Sequence, residues 1–214
     1  MIARRPLVAL VVLVVLLVAA DFVLRAVTER LVAQRVERSL HLSERPSVSL
    51  SGFPFLLHFA EGHFASASAK AGGVRSEGVS FGSVTLSLRD IRFPPGKLIF
   101  GNGGDVRATT GEGSLDMTGA QATEALRARG TDASVRFAGG KVLVRSPQFP
   151  REISATVTVS GNQLVLRSAD RALSGSFSVR LPEIIQGLRF TGVGIHGSTA
   201  VFRFVLDRPV FRVG

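Results

Sequence analysis

The side chains from which chemistry would have to be built are few. The histidines are His41, His58, His63 and His196. His58 and His63 flank Glu61, but no H-x-x-x-H spacing and no nearby carboxylate set completes a metal site. Glu61 has no second carboxylate for paired acid/base work. Serine is abundant, yet there is no G-x-S-x-G, and nothing marks a base and an orienting acid for a nucleophile. Gly192-Val-Gly194-Ile-His-Gly197 matches G-x-G-x-x-G. A dinucleotide site needs a strand before that motif and a helix after it, so that the helix N-terminus meets the pyrophosphate. Here Thr199 to Leu206 alternates like a strand. Gly96-Lys97 lacks the upstream Gly and downstream Ser/Thr of a phosphate-binding loop. No catalytic residue, metal ligand or cofactor is assigned, and the chain is read as not being an enzyme.

Composition narrows the classes further. The 214 residues suffice for one domain with a real core, and 45% are hydrophobic, which argues against disorder. The net charge is +10, from 26 basic and 16 acidic residues. Only Lys70, Lys97 and Lys141 are lysines; the remaining bases are Arg, whose planar fork suits phosphate oxygens. An Arg-for-Lys bias also arises from GC-rich coding, so the charge has two readings. Cys, Tyr and Trp are absent while Phe numbers 15. No disulfide can hold the fold, and no aromatic cluster interleaved with bases suggests a nucleic-acid reader. The partner expected for a basic exported protein is an anionic membrane surface, not nucleic acid.

Export is read from the N-terminus. Arg4 and Arg5 precede an uncharged run from Pro6 to Ala20. At about 1.5 Å per residue, that run is shorter than a bilayer core of roughly 30 Å. Val18-Ala19-Ala20 before Asp21 fits a small-residue cleavage site. Residues 1–20 are therefore expected to be a signal peptide or, alternatively, a signal anchor reaching to Leu24. No Cys follows for lipidation, and the Arg pair lacks the rest of a twin-Arg motif. Either way the body, 21–214, is expected outside the cytoplasm, in the cell envelope, as a single domain and a monomer.

Residues 21–42 read as an amphipathic helix. Val23, Val27 and Leu31 share one face, and Val32, Val36 and Leu40 the next. From 46 to 210 the period becomes two. Ala65, Ala67 and Ala69 alternate with Ser66 and Ser68, and Val84, Leu86 and Leu88 with Thr85, Ser87 and Arg89. Further alternating runs lie at 135–137, 142–145, 153–160 and 201–206. This is the pattern of half-buried antiparallel strands. Gly139-Gly140 and Gly161-Asn162 read as hairpin turns. Thr118 and Gln121 form a capping box before a helix over 122–129 that stops at Gly130. Pro182 opens another short turn of helix. The fold class is α+β, mostly antiparallel β.

One segment carries more than rhythm. In Ser51-Gly52-Phe53-Pro54-Phe55-Leu56-Leu57, large apolar side chains surround a Pro that breaks regular structure. It is either a core corner or the lining of an apolar cavity. Together with the helix before it, Glu61-Gly62-His63-Phe64 after it, Gly72-Gly73-Val74, and Val84 to Leu88 ending in Arg89-Asp90-Ile91, it resembles the LmeA-like phospholipid-binding family of actinobacterial cell envelopes. The resemblance covers about 21–210, with its distinctive letters in 50–100. It implies a long N-terminal helix packed in a strongly curved antiparallel sheet, similar to a lipid-binding module of bactericidal permeability-increasing proteins. It also implies an exported binder of phospholipid, of phosphoinositide type, that supports envelope glycolipid maturation alongside glycolipid-synthesis proteins. It supplies no catalytic residues.

On that reading Val27, Leu31, Phe53, Phe55, Leu56, Phe64, Leu86 and Leu88 are candidates to line the acyl chains. Arg75, Arg89, Arg92 and Lys97 are candidates to hold the headgroup phosphate. The alternatives are a membrane-docked interaction module with a packed interior, and a hydrolase or transferase acting on glycolipid, for which no motif is present.

Overall fold

The computed structural model describes residues 4–39, 44–76, 79–99, 104–149, 151–168, 176–181 and 187–213. The expected turn of helix at Pro182 and the end of the first helix at 40–42 lie outside the described residues. The architecture is the expected α+β one, with a long N-terminal helix and antiparallel sheets that stay open.

Helix α1 runs unbroken from Arg4 to Ser39. Its inward stripe is Asp21, Leu24, Arg25, Thr28, Glu29, Ala33 and Val36, at helical spacing, while Val23, Val27 and Leu31 are exposed. The inward stripe is partly polar because two carboxylates on it meet backbone donors. Glu29 accepts the Leu50 N–H at 2.9 Å and is itself held by Arg25 at 3.0 Å. Asp21 accepts two N–H groups of the segment that follows. Among the described residues no helix is long and apolar enough to cross a membrane.

After α1 come β1 (Ser47–Ser51), α2 (Phe55–Glu61), β2 (His63–Ser76), β3 (Val79–Arg92), α3 (Pro95–Ile99) and β4 (Gly104–Thr118). Next are α4 (Gly119–Ala128), β5 (Ser134–Ala138), β6 (Lys141–Arg145), β7 (Ile153–Ser160), β8 (Gln163–Ser168) and β9 (Ser176–Arg180). β10 (Leu188–His196), β11 (Thr199–Asp207) and β12 (Val210–Val213) complete the order. The larger sheet runs β1-β2-β3-β4-β11-β10, with β12 also on β4; the smaller runs β5-β6-β7-β8-β9. Every pairing is antiparallel between alternating strands, as the period of two requires.

Local signals act where they were read. Thr118 accepts the Gln121 N–H, and the Gln121 side chain accepts the Thr118 N–H, starting α4; Gly130 follows it with φ +77°. Gly139 and Gly140, both at positive φ, close the β5–β6 turn. The G-x-G-x-x-G match lies along β10 and into the turn before β11, so a strand follows it rather than a helix. Asn162, in the β7–β8 turn, does more than turn the chain. Its side chain donates to the Leu188 carbonyl at 3.3 Å, joining the smaller sheet to β10, and its backbone carbonyl accepts the Leu181 N–H just after β9.

The main core lies between the two sheets. Phe190, Phe202, Phe204, Leu206 and Leu115 of the larger meet Phe137 and Val142 of the smaller. A second core, around Phe55, Phe64, Leu50, Ile91 and Ala108, sits at the end of the larger sheet under α2, with Leu24 of α1 against it.

Candidate functional site

Rows of side chains cross the larger sheet on its apolar face. One row is Ala67, Leu88, Gly111, Leu206; the next is Ala69, Leu86, Gly113, Phe204; the third is Ala71, Val84, Leu115, Phe202. The β11 ends of these rows are sealed, with Phe204 and Leu206 each 2% exposed. The two glycines help to seal them. A Cβ on Gly113 would lie 2.4 Å from the Phe204 ring, and one on Gly111 about as near Leu206 as Leu88, at 3.1 and 3.0 Å. The β2–β3 ends are different: Ala67, Ala69, Ala71, Val84, Leu86 and Leu88 are only half-buried. α1 covers this face at the β1 edge through Leu24 and Val36, and the smaller sheet covers it from the β10 edge. Between them lies an apolar floor whose β2 side chains are single methyl groups.

Alternation breaks at the α2 end of this floor. Asp90 has φ +50°, and beyond it Phe64 and Ile91 turn to the same side as Ala67 and Leu88. Ala65, which shares a phase with Ala67 in the sequence, is therefore exposed.

At one end of the floor stands the apolar corner. Phe53 and Pro54 are joined by a cis peptide bond and lead into α2. The Phe55 and Leu56 N–H groups, which open that helix, donate to the Asp21 carboxylate at 2.9 and 2.7 Å. This satisfies donors that a helix N-terminus otherwise leaves free. Asp21 is buried, and it thereby fixes α1 to α2. Phe55 is fully buried and stacks on Phe59 and Phe64; Phe93 stacks on Phe64 and meets Phe59 at a tilt of 53°. Gly62, at φ +68°, permits this closure, because a Cβ there would strike the Phe93 carbonyl at 2.3 Å. The corner is thus packed by its own rings, while Phe53, Leu56 and Leu57 stay exposed.

Bases gather just beyond. Arg92, Lys97 and Arg107, with Phe93, Pro94, Gly104 and Asp105, line an open hollow of about 480 Å³. Beside it Asp90 accepts hydrogen bonds from Thr109 and His63, and Arg92 stands 3.6 Å away. The Thr109 hydrogen bond first, and that of His63 next, hold the Asp90 carboxyl below its usual range. His58 lies 3.8 Å from Glu61 on α2 and does not join His63. Among the described residues no cluster could hold a metal ion. A larger hollow, about 690 Å³, opens elsewhere, between the start of α4 and β5–β6; Arg136 and Glu152 pair across its wall at 3.0 Å.

Of the residues singled out in the sequence, Leu86 and Leu88 are on the floor. Phe55 and Phe64 are core, and Val27, Leu31, Phe53 and Leu56 are exposed at or beside the corner and on α1. Arg92 and Lys97 share the basic hollow. Arg89 pairs with Glu112 at 3.5 Å, and Arg75 lies near the opposite end of β2. Residue patterns alone did not reveal Asp21, Glu29 or Arg107. A carboxylate inside a helix stripe carries no sign of a backbone donor over twenty residues away, and Arg107 is one of many arginines. The alanine alternation was the signal for the floor.

No curated protein and no solved structure matches the chain. A half-covered apolar floor ending in a basic hollow is an arrangement suited to an amphiphile with an anionic head. The family model for LmeA-like phospholipid-binding proteins matches residues 19–194, from just before Asp21 through most of β10; the chain belongs to the LmeA-like phospholipid-binding family.

Proposed function

We propose that this protein is a non-enzymatic carrier of phospholipid in the extracytoplasmic cell envelope, working as a monomer in support of glycolipid maturation. The acyl chains lie along the β2–β3 floor, and an anionic head of phosphoinositide type is held by Arg92, Lys97 and Arg107. The observation that carries this is the floor itself, where Ala67, Ala69 and Ala71 leave Leu86 and Leu88 half-covered. Apolar surface removed from water stabilises a complex by about 25 cal/mol per Å², so acyl chains bind there without specific polar partners. Along β3 Arg92 is four residues from Leu88, about 13 Å at strand rise, which separates head from tail. Export is supported by Arg4 and Arg5 ahead of the uncharged run to Ala20.

The test is organic extraction of the purified protein followed by mass spectrometry. Phospholipid at close to one molecule per chain is expected. Failure to recover any lipid, together with no binding to anionic vesicles, overturns the proposal. The packed Phe55–Phe64 corner favours a second reading, a membrane-docked interaction module without a bound lipid. That reading predicts vesicle binding and a crosslinked protein partner, but no co-purifying phospholipid.

A further inference from the structure

The floor accounts for the half-buried alanines but not for the exposed apolar surface at the end of the molecule. Side chains 12–18 of α1 are exposed on every side of the helix, and every one is Val or Leu. A helix that is apolar all round needs an apolar medium around it. Arg4 and Arg5 stand before the uncharged run. The run stops at Asp21, and there the carboxylate holds the first two N–H groups of α2.

That latch sets a second apolar element beside the helix. Phe53 is 63% and Leu57 53% exposed, with Leu56 next to them. The Phe22 and Phe53 rings meet at 6.4 Å, so helix and corner form one continuous surface. On the other flank of α2, across the Phe59–Phe93 ring contact, lies the basic hollow. An apolar tip rimmed by bases complements an anionic bilayer, in which apolar side chains sink below the headgroups and bases stay among them.

We propose that this end of the molecule docks into an anionic bilayer, with Phe53, Leu56 and Leu57 as an interfacial wedge whose depth beside α1 is set by the Asp21 latch. The docking does not depend on whether a lipid occupies the β2–β3 floor, so it stands or falls separately from lipid carriage.

The chain contains no Trp and no Tyr, so any Trp introduced is the sole strong emitter. The full chain is synthesised in the presence of phosphatidylglycerol–phosphatidylcholine vesicles whose acyl chains are brominated, as Val14→Trp, Phe53→Trp, Leu57→Trp or Lys141→Trp; Lys141 is exposed on the smaller sheet. Expected are loss of most emission for Val14→Trp, a blue shift with substantial loss for Phe53→Trp and Leu57→Trp, and no loss for Lys141→Trp. Unquenched emission at 53 and 57, or equal quenching at 141, overturns the proposal. Vesicles of phosphatidylcholine alone should quench 53 and 57 less, and equal quenching refutes the anionic partner. Adding Asp21→Ala should weaken quenching at 53 and 57 while leaving that at 14 unchanged. If 53 and 57 stay as deeply quenched, the latch does not set the depth.

Discussion

The two halves of the larger sheet share one apolar face and one register, yet they end differently. On the β4–β11–β10 half, glycines on β4 make room for Phe204 and Leu206, and the second sheet closes over them. On the β1–β2–β3 half the β2 side chains of the floor are alanine, α1 covers it at the β1 edge, and Leu86 and Leu88 stay half-buried. The first half is complete with its own side chains; the second lacks the volume to be. Backbone pairing is antiparallel in both. What separates a structural core from a binding surface here is side-chain volume per row and which neighbour lies above it.

The largest effect that bears on this contrast comes from the sealed half. Phe204→Ala removes a ring that is 2% exposed and should cost about 3–5 kcal/mol in denaturant-unfolding free energy. A cost below about 1 kcal/mol would mean that the two halves are not packed differently. The open half should respond in the opposite way. Ala69→Phe adds a ring to the floor, where it should leave stability within about 1 kcal/mol of the parent, whereas a closed core would lose roughly 1–3 kcal/mol to overpacking. In the same variant the phospholipid recovered by extraction should fall to a small fraction of the parent's. A destabilised Ala69→Phe that still carries lipid would contradict the floor as its site.

The smallest effect concerns the polar end of the floor. The Asp90 carboxyl is held below its ordinary value of 3.8 by Thr109 and then His63. A carboxylate with a depressed folded pKa contributes stability that is present above its unfolded pKa and is lost as the pH falls through the folded one. Asp90→Asn should therefore flatten the acid limb of the stability profile below pH 3.8. An acid limb identical to the parent's would show that the Thr109 and His63 contacts do not form in solution.

Much of the strand layout was legible because its causes are local. The Thr118–Gln121 box, the Gly139-Gly140 turn and the alternation of 84–88 each act within a few residues. The helix face of α1 was harder to read. The apolar residues Val23, Val27 and Leu31 suggested an inward stripe, but the inward stripe carries Asp21 and Glu29, since their partners are backbone N–H groups of α2 and β1. For the headgroup end, residue type favoured arginine and lysine near 89–97. Only the fold could distinguish Arg92 and Lys97, which share a hollow with Arg107, from Arg89 facing Glu112 and Arg75 near the far end of β2.

The sequence by itself determined the antiparallel β class, the turns, the long helix and the small side-chain volume of alanine-rich β2, because periodicity, turn chemistry and side-chain size are properties of short stretches. The tertiary structure alone decided which apolar residues became core and which stayed as surface. Phe55 and Phe53 are two residues apart and of one type, yet one is sealed among rings and the other lies open beside Phe22. That outcome depends on Asp21 reaching α2 across more than thirty residues of chain, and no local pattern encodes a contact made at such a distance.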